Sequence, residues 1–418
     1  MMHRSAKLID GKSVAAALRV AIKSDVQQLT ATHGRPPALG LIMVGDRKDS
    51  ALYVKNKHTA CRKAGIRSVN YLFQEDVSQD TILKQVEELN NDPTIDGILV
   101  QSTALTRIHA LHVCAYLKLP LPEKFDPRAI IDSIQPTKDV DGLHPFNAGE
   151  LAMRNRYPYL VPCTAKGIIE LLDAQQVPLE GQTAVVIGRS NLVGSPIGLL
   201  LQKRNATVIQ CHSKSVDLPR YVQQADVVIA ACGQPYLVRG SWLKPGTVVI
   251  DVGINFVKDD ETQVYHGEPN KDGYKIVGDV NLAEALEVAG SLTPVPGGVG
   301  PMTIAMLLHN VVCAFKRQHL VDELLDALVE RRVRVADHVL GKRRDGFQEV
   351  PKVGAQVVLA AWFDILLQVY EHLLEGVLRD ETANEFAVLG EHGELLETHG
   401  GLLLAEYVHG RVVAEDAL

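Results

Sequence analysis

Apolar positions Val14, Ala17, Leu18, Ala21 and Ile22 recur at helical spacing and predict a helix over residues 12–31. The rhythm then changes to PALGLIMVG, residues 37–45, an unbroken apolar run that predicts a strand covered on both faces and ending at Gly45. Helical spacing returns over 50–64 and stops at Gly65, and DGILVQ, residues 96–101, predicts a second buried strand. Strand and helix alternate at lengths that point to α/β layers, with a first unit running to about residue 160.

A second unit begins near Pro162 and spans 161–300. TAVVIGRSNLVGSPIG, residues 183–198, predicts a strand, a glycine turn and a helix. ATVIQCHS (206–213), ADVVIAACG (225–233) and GTVVIDVGIN (246–255) predict three more buried strands. Parallel crossovers would place the loops of such a sheet along one carboxyl edge, where ligands bind. Residues 301–320 predict a helix that returns to pack on the first unit. Residues 321–418 mix basic, acidic and apolar helical stretches and are set apart as an extension of unknown function.

Composition narrows the classes. Apolar residues make up 46% and charged residues 22%, as in a soluble globular chain, and the net charge of -7 gives no global positive field for nucleic acid or anionic membrane. No 18-residue apolar run predicts a membrane span, and the N-terminus shows no signal-peptide core. Cys61, Cys114, Cys163, Cys211, Cys232 and Cys313 are widely spread, without a C-x-x-C pair or zinc spacing. They read as buried free thiols of a reducing compartment. The cytoplasm is the expectation, with a mitochondrial location also open.

The turn after the 183–187 strand carries Gly188, Arg189, Ser190 and Gly194. Glycine allows close backbone approach to a ligand, and the following helix N-terminus can hold phosphate. The pattern is not the strict G-x-G-x-x-G fingerprint, so a turn without a ligand remains open. The next strand ends at Cys211, His212, Ser213 and Lys214, where an NAD site commonly places an acidic residue for the ribose diol. Hydroxyl and cationic groups there, with Arg189 nearby, favour NADP over NAD.

The chemical candidates lie in the first unit. Tyr53 and Lys57 sit one helical turn apart on one face. An aromatic ring can stack on a flat heterocycle beside a lysine that moves protons; a core-edge tyrosine with a snorkelling lysine is the plainer alternative. Gln101 ends a buried strand, where ligand contact and loop capping are both open. Asp139 and Asp141, in KDVDG, can each grip paired N–H donors or serve a turn.

Several segments together resemble the bifunctional methylenetetrahydrofolate dehydrogenase/cyclohydrolase family. They are IDGK (9–12), YVKNK (53–57), GILVQ (97–101), KDVDGLHPFNAG (138–149), PCTAKG (162–167), VVIGRSNLVGSP (185–196), GDV (278–280) and TPVPGGVGPMT (293–303). The resemblance implies an N-terminal α/β catalytic domain and a Rossmann-like NAD(P)-binding domain with a cleft between them, usually in a homodimer. It implies that Lys57 is the cyclohydrolase lysine, Gln101 its hydrogen-bonding partner and Asp141 the pterin-binding aspartate, all three in catalysis. Tyr53, Pro296, Gly297 and Gly298 fall at folate-contacting positions, and Gly188, Arg189, Ser190, Ser213 and Ile254 at dinucleotide-binding ones. The implied activity is NADP-dependent oxidation of methylenetetrahydrofolate followed by hydrolysis of the methenyl product, with tetrahydrofolate derivatives as partners and no metal required.

Two features depart from the family pattern. Gln101 is followed by STALTRIHALHVCAYLK, residues 102–118, before Leu119, Pro120, Leu121 and Pro122 resume it. A translated short intron and a genuine insertion both account for this. An inserted helix beside the catalytic pair would leave a dehydrogenase with impaired cyclohydrolase activity, or an inactive folate- or nucleotide-binding protein. The extension after residue 320 is too short for a formate–tetrahydrofolate ligase and has no G-x-x-x-x-G-K-[ST] loop.

Overall fold

The structure is a computed structural model that describes residues 6–45, 57–74, 76–102, 125–258 and 274–319. These residues fall within one compact unit, Met1–Val321. Tyr53, residues 103–118 of the insertion and the extension from 321 lie outside the described residues.

The chain opens with a two-residue strand, β1 (Lys7–Leu8), and a long helix, α1 (Gly11–His33). Asp10 caps the helix, its Oδ1 accepting from the Lys12 and Ser13 amides at 2.9 and 3.3 Å. Gly34, at φ 71°, ends it in the left-handed conformation. The first sheet is parallel, in the order β3 (Arg67–Phe73), β2 (Ala38–Val44), β4 (Gly97–Ser102). Its central strand is covered on both faces, which explains its unbroken apolar run. The sequence reading gave no strand at β3: as an edge strand it exposes Arg67, Asn70 and Leu72, which breaks the apolar run. Residues 57–64 are helical (α2), and α3 (Gln79–Asn91), capped by Ser78, crosses from β3 to β4. Beyond the insertion, α4 (Pro127–Ser133) and α5 (Pro145–Ala152) precede α6 (Cys163–Ala174).

The second sheet has six parallel strands in the order β1, β11 (Ser291–Leu292), β8 (Val248–Asp251), β7 (Val227–Ala230), β5 (Thr183–Ile187), β6 (Thr207–Cys211). The chain leaves β5 through α7 (Gly194–Lys203) to β6 on one side, then passes through α8 (Leu218–Val222) to β7 on the other. That reversal at β5 is a topological switch point, where open α/β sheets bind ligands. Next to this sheet, β9 (Asn255–Lys258) and β10 (Tyr274–Val277) form an antiparallel pair, followed by α9 (Leu282–Val288). The first strand thus joins the second sheet, although sequence order groups it with the first unit.

One central core serves both sheets. Leu39 and Leu41 from β2, Ala184 and Val186 from β5, and Met302 and Met306 belong to one buried cluster. The last two lie on α10 (Val299–His319), which has the length and hydropathy of a membrane span but is mostly buried in this core. Its Asn310, 1% exposed, donates to the carbonyls of Val140 at 2.8 Å and Val161 at 2.9 Å, fixing the helix to the chain on either side of α5. Lys316 pairs with Asp25 of α1 at 3.1 Å. A methyl group on Gly167 of α6 would stand 2.9 Å from Met302 Cβ, so these two helices pack at backbone distance.

Candidate functional site

Lys57 begins the described part of α2 and is only 7% exposed. An ammonium so withdrawn from water needs compensating charge. Asp141 supplies it: burial pushes its carboxyl upward, and the positive charge of Lys57 opposes that shift. Asp141 follows β4's neighbour in the turn 138–142, where Ile98 bridges to Asp139. The turn closes through Gly142, at φ 71°, whose added Cβ would meet Pro162 N at 2.5 Å.

The two aspartates of this turn divide into separate tasks. Asp139 is committed to structure: its Oδ2 accepts from the His144 amide at 2.7 Å and from Asn147 Nδ2 at 3.2 Å. Burial still pushes it up to about 6. Among the described residues, no hydrogen bond is donated to the Asp141 carboxylate, and its electrostatics come from burial and the charge of Lys57 alone. Gln101 ends β4, in register with Met43 of β2. Its Oε1 is buried and accepts no hydrogen bond. A buried oxygen without a donor is rare in folded chains and marks a place where a ligand or mobile donor completes the bonding.

Loop 293–298 joins β11 to α10. Pro296 is exposed, Gly297 adopts φ 122°, and the buried Gly298 donates to Pro294 O at 2.8 Å. The start of α1 lies directly against it. A Cβ on Gly11 would stand 1.9 Å from Gly298 O, and one on Gly297 would stand 3.4 Å from Lys12 Cε. The sequence reading quoted IDGK without giving Gly11 or Lys12 a role; the contact joins residues nearly a whole domain pair apart, so no local pattern announces it. On the other side of the loop, Thr303 of α10 lies 3.2 Å from Thr164 of α6, hydroxyl to hydroxyl.

At the carboxyl edge of the second sheet, Gly188 has φ 126°, and a Cβ there would lie 2.0 Å from Ala231 O. A Cβ on Gly194 would lie 2.4 Å from Gly188 O, so only glycine lets the β5–α7 turn close this tightly. Ser190 folds the turn before α7, its Oγ accepting from the Val193 and Gly194 amides at 3.2 and 3.4 Å. Arg189, Ser213 and Lys214 are exposed along the same edge, and no carboxylate follows β6 before Asp217. A tight glycine turn at the switch point, flanked by cations and hydroxyls, could hold the phosphates of a dinucleotide.

Two buried carboxylates that the sequence reading passed over lock this edge. Asp251 accepts from Gly253 and Asp279 amides on Oδ1 and from Val280 on Oδ2, each at 2.9 Å. Asp279 accepts from Cys232 and Gly233 amides at 2.7 and 2.8 Å and from Asn255 Nδ2 at 2.9 Å. Together they tie the ends of β7 and β8 to the turn after β10, with exposed Ile254 held between Gly253 and Asn255. Burial and the charge of Asp279 push Asp251 up to about 7, against three amide donors that favour the anion. The GDV motif was the available signal for Asp279.

Comparison with known proteins matches two domains of one family to this chain. The tetrahydrofolate dehydrogenase/cyclohydrolase catalytic-domain family matches residues 9–116, and the NAD(P)-binding domain of the same family matches residues 162–319. Bifunctional protein FolD 2 of Arabidopsis thaliana is 47% identical over 313 residues, covering 75% of this chain and 96% of that protein. Among solved structures, the bifunctional enzyme FolD of Campylobacter jejuni is 40% identical with a TM-score of 0.64, covering 75% of this chain and 100% of its own. Trypanosoma brucei FolD, solved with NADP cofactor and an inhibitor, is 39% identical with a TM-score of 0.65, covering 75% and 98%.

Replacing Gln101 by the near-isosteric Met should stabilise the ligand-free protein by about 1 kcal/mol, because the lone buried oxygen is removed. Urea unfolding of the two proteins measures this. A less stable Gln101→Met would mean that the amide has a protein partner.

Proposed function

This chain belongs to the tetrahydrofolate dehydrogenase/cyclohydrolase family, and we propose that it oxidises 5,10-methylenetetrahydrofolate and hydrolyses the methenyl product to 10-formyltetrahydrofolate. The observation that carries this is the buried Lys57 within electrostatic reach of Asp141, in the domain where Gln101 holds an unpartnered oxygen. A nicotinamide cofactor, when bound, supplies the hydride acceptor. Gly188, Arg189, Ser190, Ser213 and Ile254 are the residues that would hold it. The remaining work falls to the first unit and loop 296–298.

The Asp141 carboxylate has the acceptor geometry for the paired N–H donors of an amino-pyrimidine. Gly297 and Gly298 let that flat ring system approach backbone. As water adds to the one-carbon bridge, Lys57 in its amine form beside the bound substrate cation accepts one water proton and passes it to the departing ring nitrogen. The second water proton leaves to solvent as the formyl carbonyl forms, and Gln101 Oε1 accepts from the transient ammonium and orients it. Tyr53, one turn before Lys57 in sequence, would stack on the ring. Because Gln101 keeps its place in the β4 ladder, the departure at 102–118 begins only after the proposed catalytic position. We read the assembly as a homodimer: Phe256 and Ile276, exposed and directly opposite across the isolated β9–β10 pair, suit a second copy.

Lys57→Met should abolish cyclohydrolase turnover while the chain stays folded and dehydrogenation persists. Loss of the methenyl absorbance, followed with and without enzyme, checks this; near-normal hydrolysis would remove Lys57 from proton transfer.

NADP should be used with higher catalytic efficiency than NAD, through Arg189 and Ser213 with Lys214 beside them. Steady-state comparison of the two cofactors decides it, and a higher kcat/KM with NAD would overturn the 2′-phosphate reading.

A further inference from the structure

Five cysteines among the described residues are free thiols, and four of them sit where a thiolate is disfavoured. Burial raises Cys163 and Cys211 above the ordinary thiol range, and it pushes Cys61 up to about 12. Cys232 is raised by burial and by Asp279. Cys313 is different. It lies half-buried on α10, its Sγ 3.3 Å from His309 Nδ1, one turn earlier on the same helix face. Lys166, on the facing helix α6, and Arg317, one turn later on α10, add their charge. Burial pushes this thiol upward as well, yet His309, Lys166 and Arg317 together bring it down to about 7. Low thiolate cost combined with partial exposure is the condition for cysteine nucleophilicity.

We propose that Cys313 is a modification site, a nucleophilic thiol that pairs with His309 and exchanges with small anionic disulfides. The anionic preference follows from Lys166 and Arg317, which attract a carboxylate-bearing reagent and stabilise its departing thiolate. The thiol proton passes to His309 Nδ1. The Cys313 thiolate then attacks one sulfur of the reagent, whose S–S bond breaks as the Cys313–reagent S–S bond forms. The other half of the reagent departs as a thiolate, and His309 gives its proton to solvent. Cys313 sulfur is oxidised and the departing sulfur is reduced, so the reagent itself is the only oxidant. The step requires neither folate nor nicotinamide, and it concerns side chains to which the proposed folate chemistry gives no role.

The test uses the full chain and 5,5′-dithiobis(2-nitrobenzoate), an anionic disulfide whose released thiolate is coloured. Release is followed across pH, and peptide mass mapping locates the adduct. Cys313 should be the first cysteine modified, with a rate midpoint near pH 7, as its depressed pKa of about 7 requires. His309→Gln should move the midpoint up to at least the ordinary thiol value of about 8.5, because burial still raises it, and slow the reaction at pH 7 by about tenfold or more. Cys313→Ser should remove the fast phase. The proposal is overturned if Cys313 stays unmodified in the folded chain, if the fast phase survives Cys313→Ser, or if the wild-type midpoint lies at the ordinary thiol value. An unshifted midpoint in folded His309→Gln overturns it too. Should His309→Gln fail to fold, the wild-type midpoint and the Cys313→Ser result decide alone.

Discussion

Two stretches of backbone, at Gly11 and Gly298, meet with no room for a single side-chain carbon between them: a Cβ on Gly11 would stand 1.9 Å from the Gly298 carbonyl oxygen. Much else follows from this contact. Just before it, β1 and β11 run side by side in the second sheet, Leu8 opposite Leu292. Just after it, each strand leads into a helix of the central core, β1 into α1 and β11 through loop 293–298 into α10. The two helices stay together through Lys316 and Asp25 and through Arg19, which donates to Pro301 O at 3.4 Å. Two helices of the central core, α1 and α10, therefore leave from one place. The loop that carries Pro296, Gly297 and Gly298 meets the start of α1 at backbone distance, with the Lys12 side chain beside Gly297.

Around that fixed point the fold places its charges in two ways. Asp139, Asp251 and Asp279 are buried and fully committed to amide donors, so they set the shape of the turns beside the site. The Asp141 carboxylate and the Gln101 side-chain oxygen are buried without a hydrogen-bond donor among the described residues. Desolvation makes such groups costly in a folded chain, and a ligand that supplies the missing partners recovers the loss. The contrast between neighbours is sharpest at Asp139 and Asp141, two residues apart in one turn. One holds His144 and Asn147 in place, while the other faces the lysine.

The α/β class was legible because β2, β4, β5, β7 and β8 are covered on both faces, and continuous apolar runs follow from that. The helix α1 was legible from its spacing, although the cap at Asp10 was not noted. β3 escaped because an edge strand dilutes its apolar run with exposed residues. β1 escaped because two residues carry no period, and its partner lies at Ser291 and Leu292. The helix α3 has Ile82, Val86 and Leu89 at helical spacing and was open to reading. For the site, residue types and motifs singled out Lys57, Gln101 and Asp141. The discrimination between Asp139 and Asp141, and the unpartnered Gln101 oxygen, exist only in three dimensions. The six cysteines read alike as buried thiols in sequence, yet His309 and Cys313, spaced i and i+4 on a helix, already contain the pairing that sets one of them apart.

The Gly11–Gly298 contact sets the loop on which the proposed folate chemistry depends, and a pair of glycine substitutions tests this most directly. Gly11→Ala forces the loop backbone to move, whereas Gly300→Ala, two residues along the same segment, adds its methyl group to open space. Dehydrogenase turnover should fall about 100-fold in Gly11→Ala, the loss expected of a displacement near 1 Å, with the chain still folded by circular dichroism. Gly300→Ala should remain near wild type. Normal turnover in Gly11→Ala, or an equal loss in Gly300→Ala, would contradict the account.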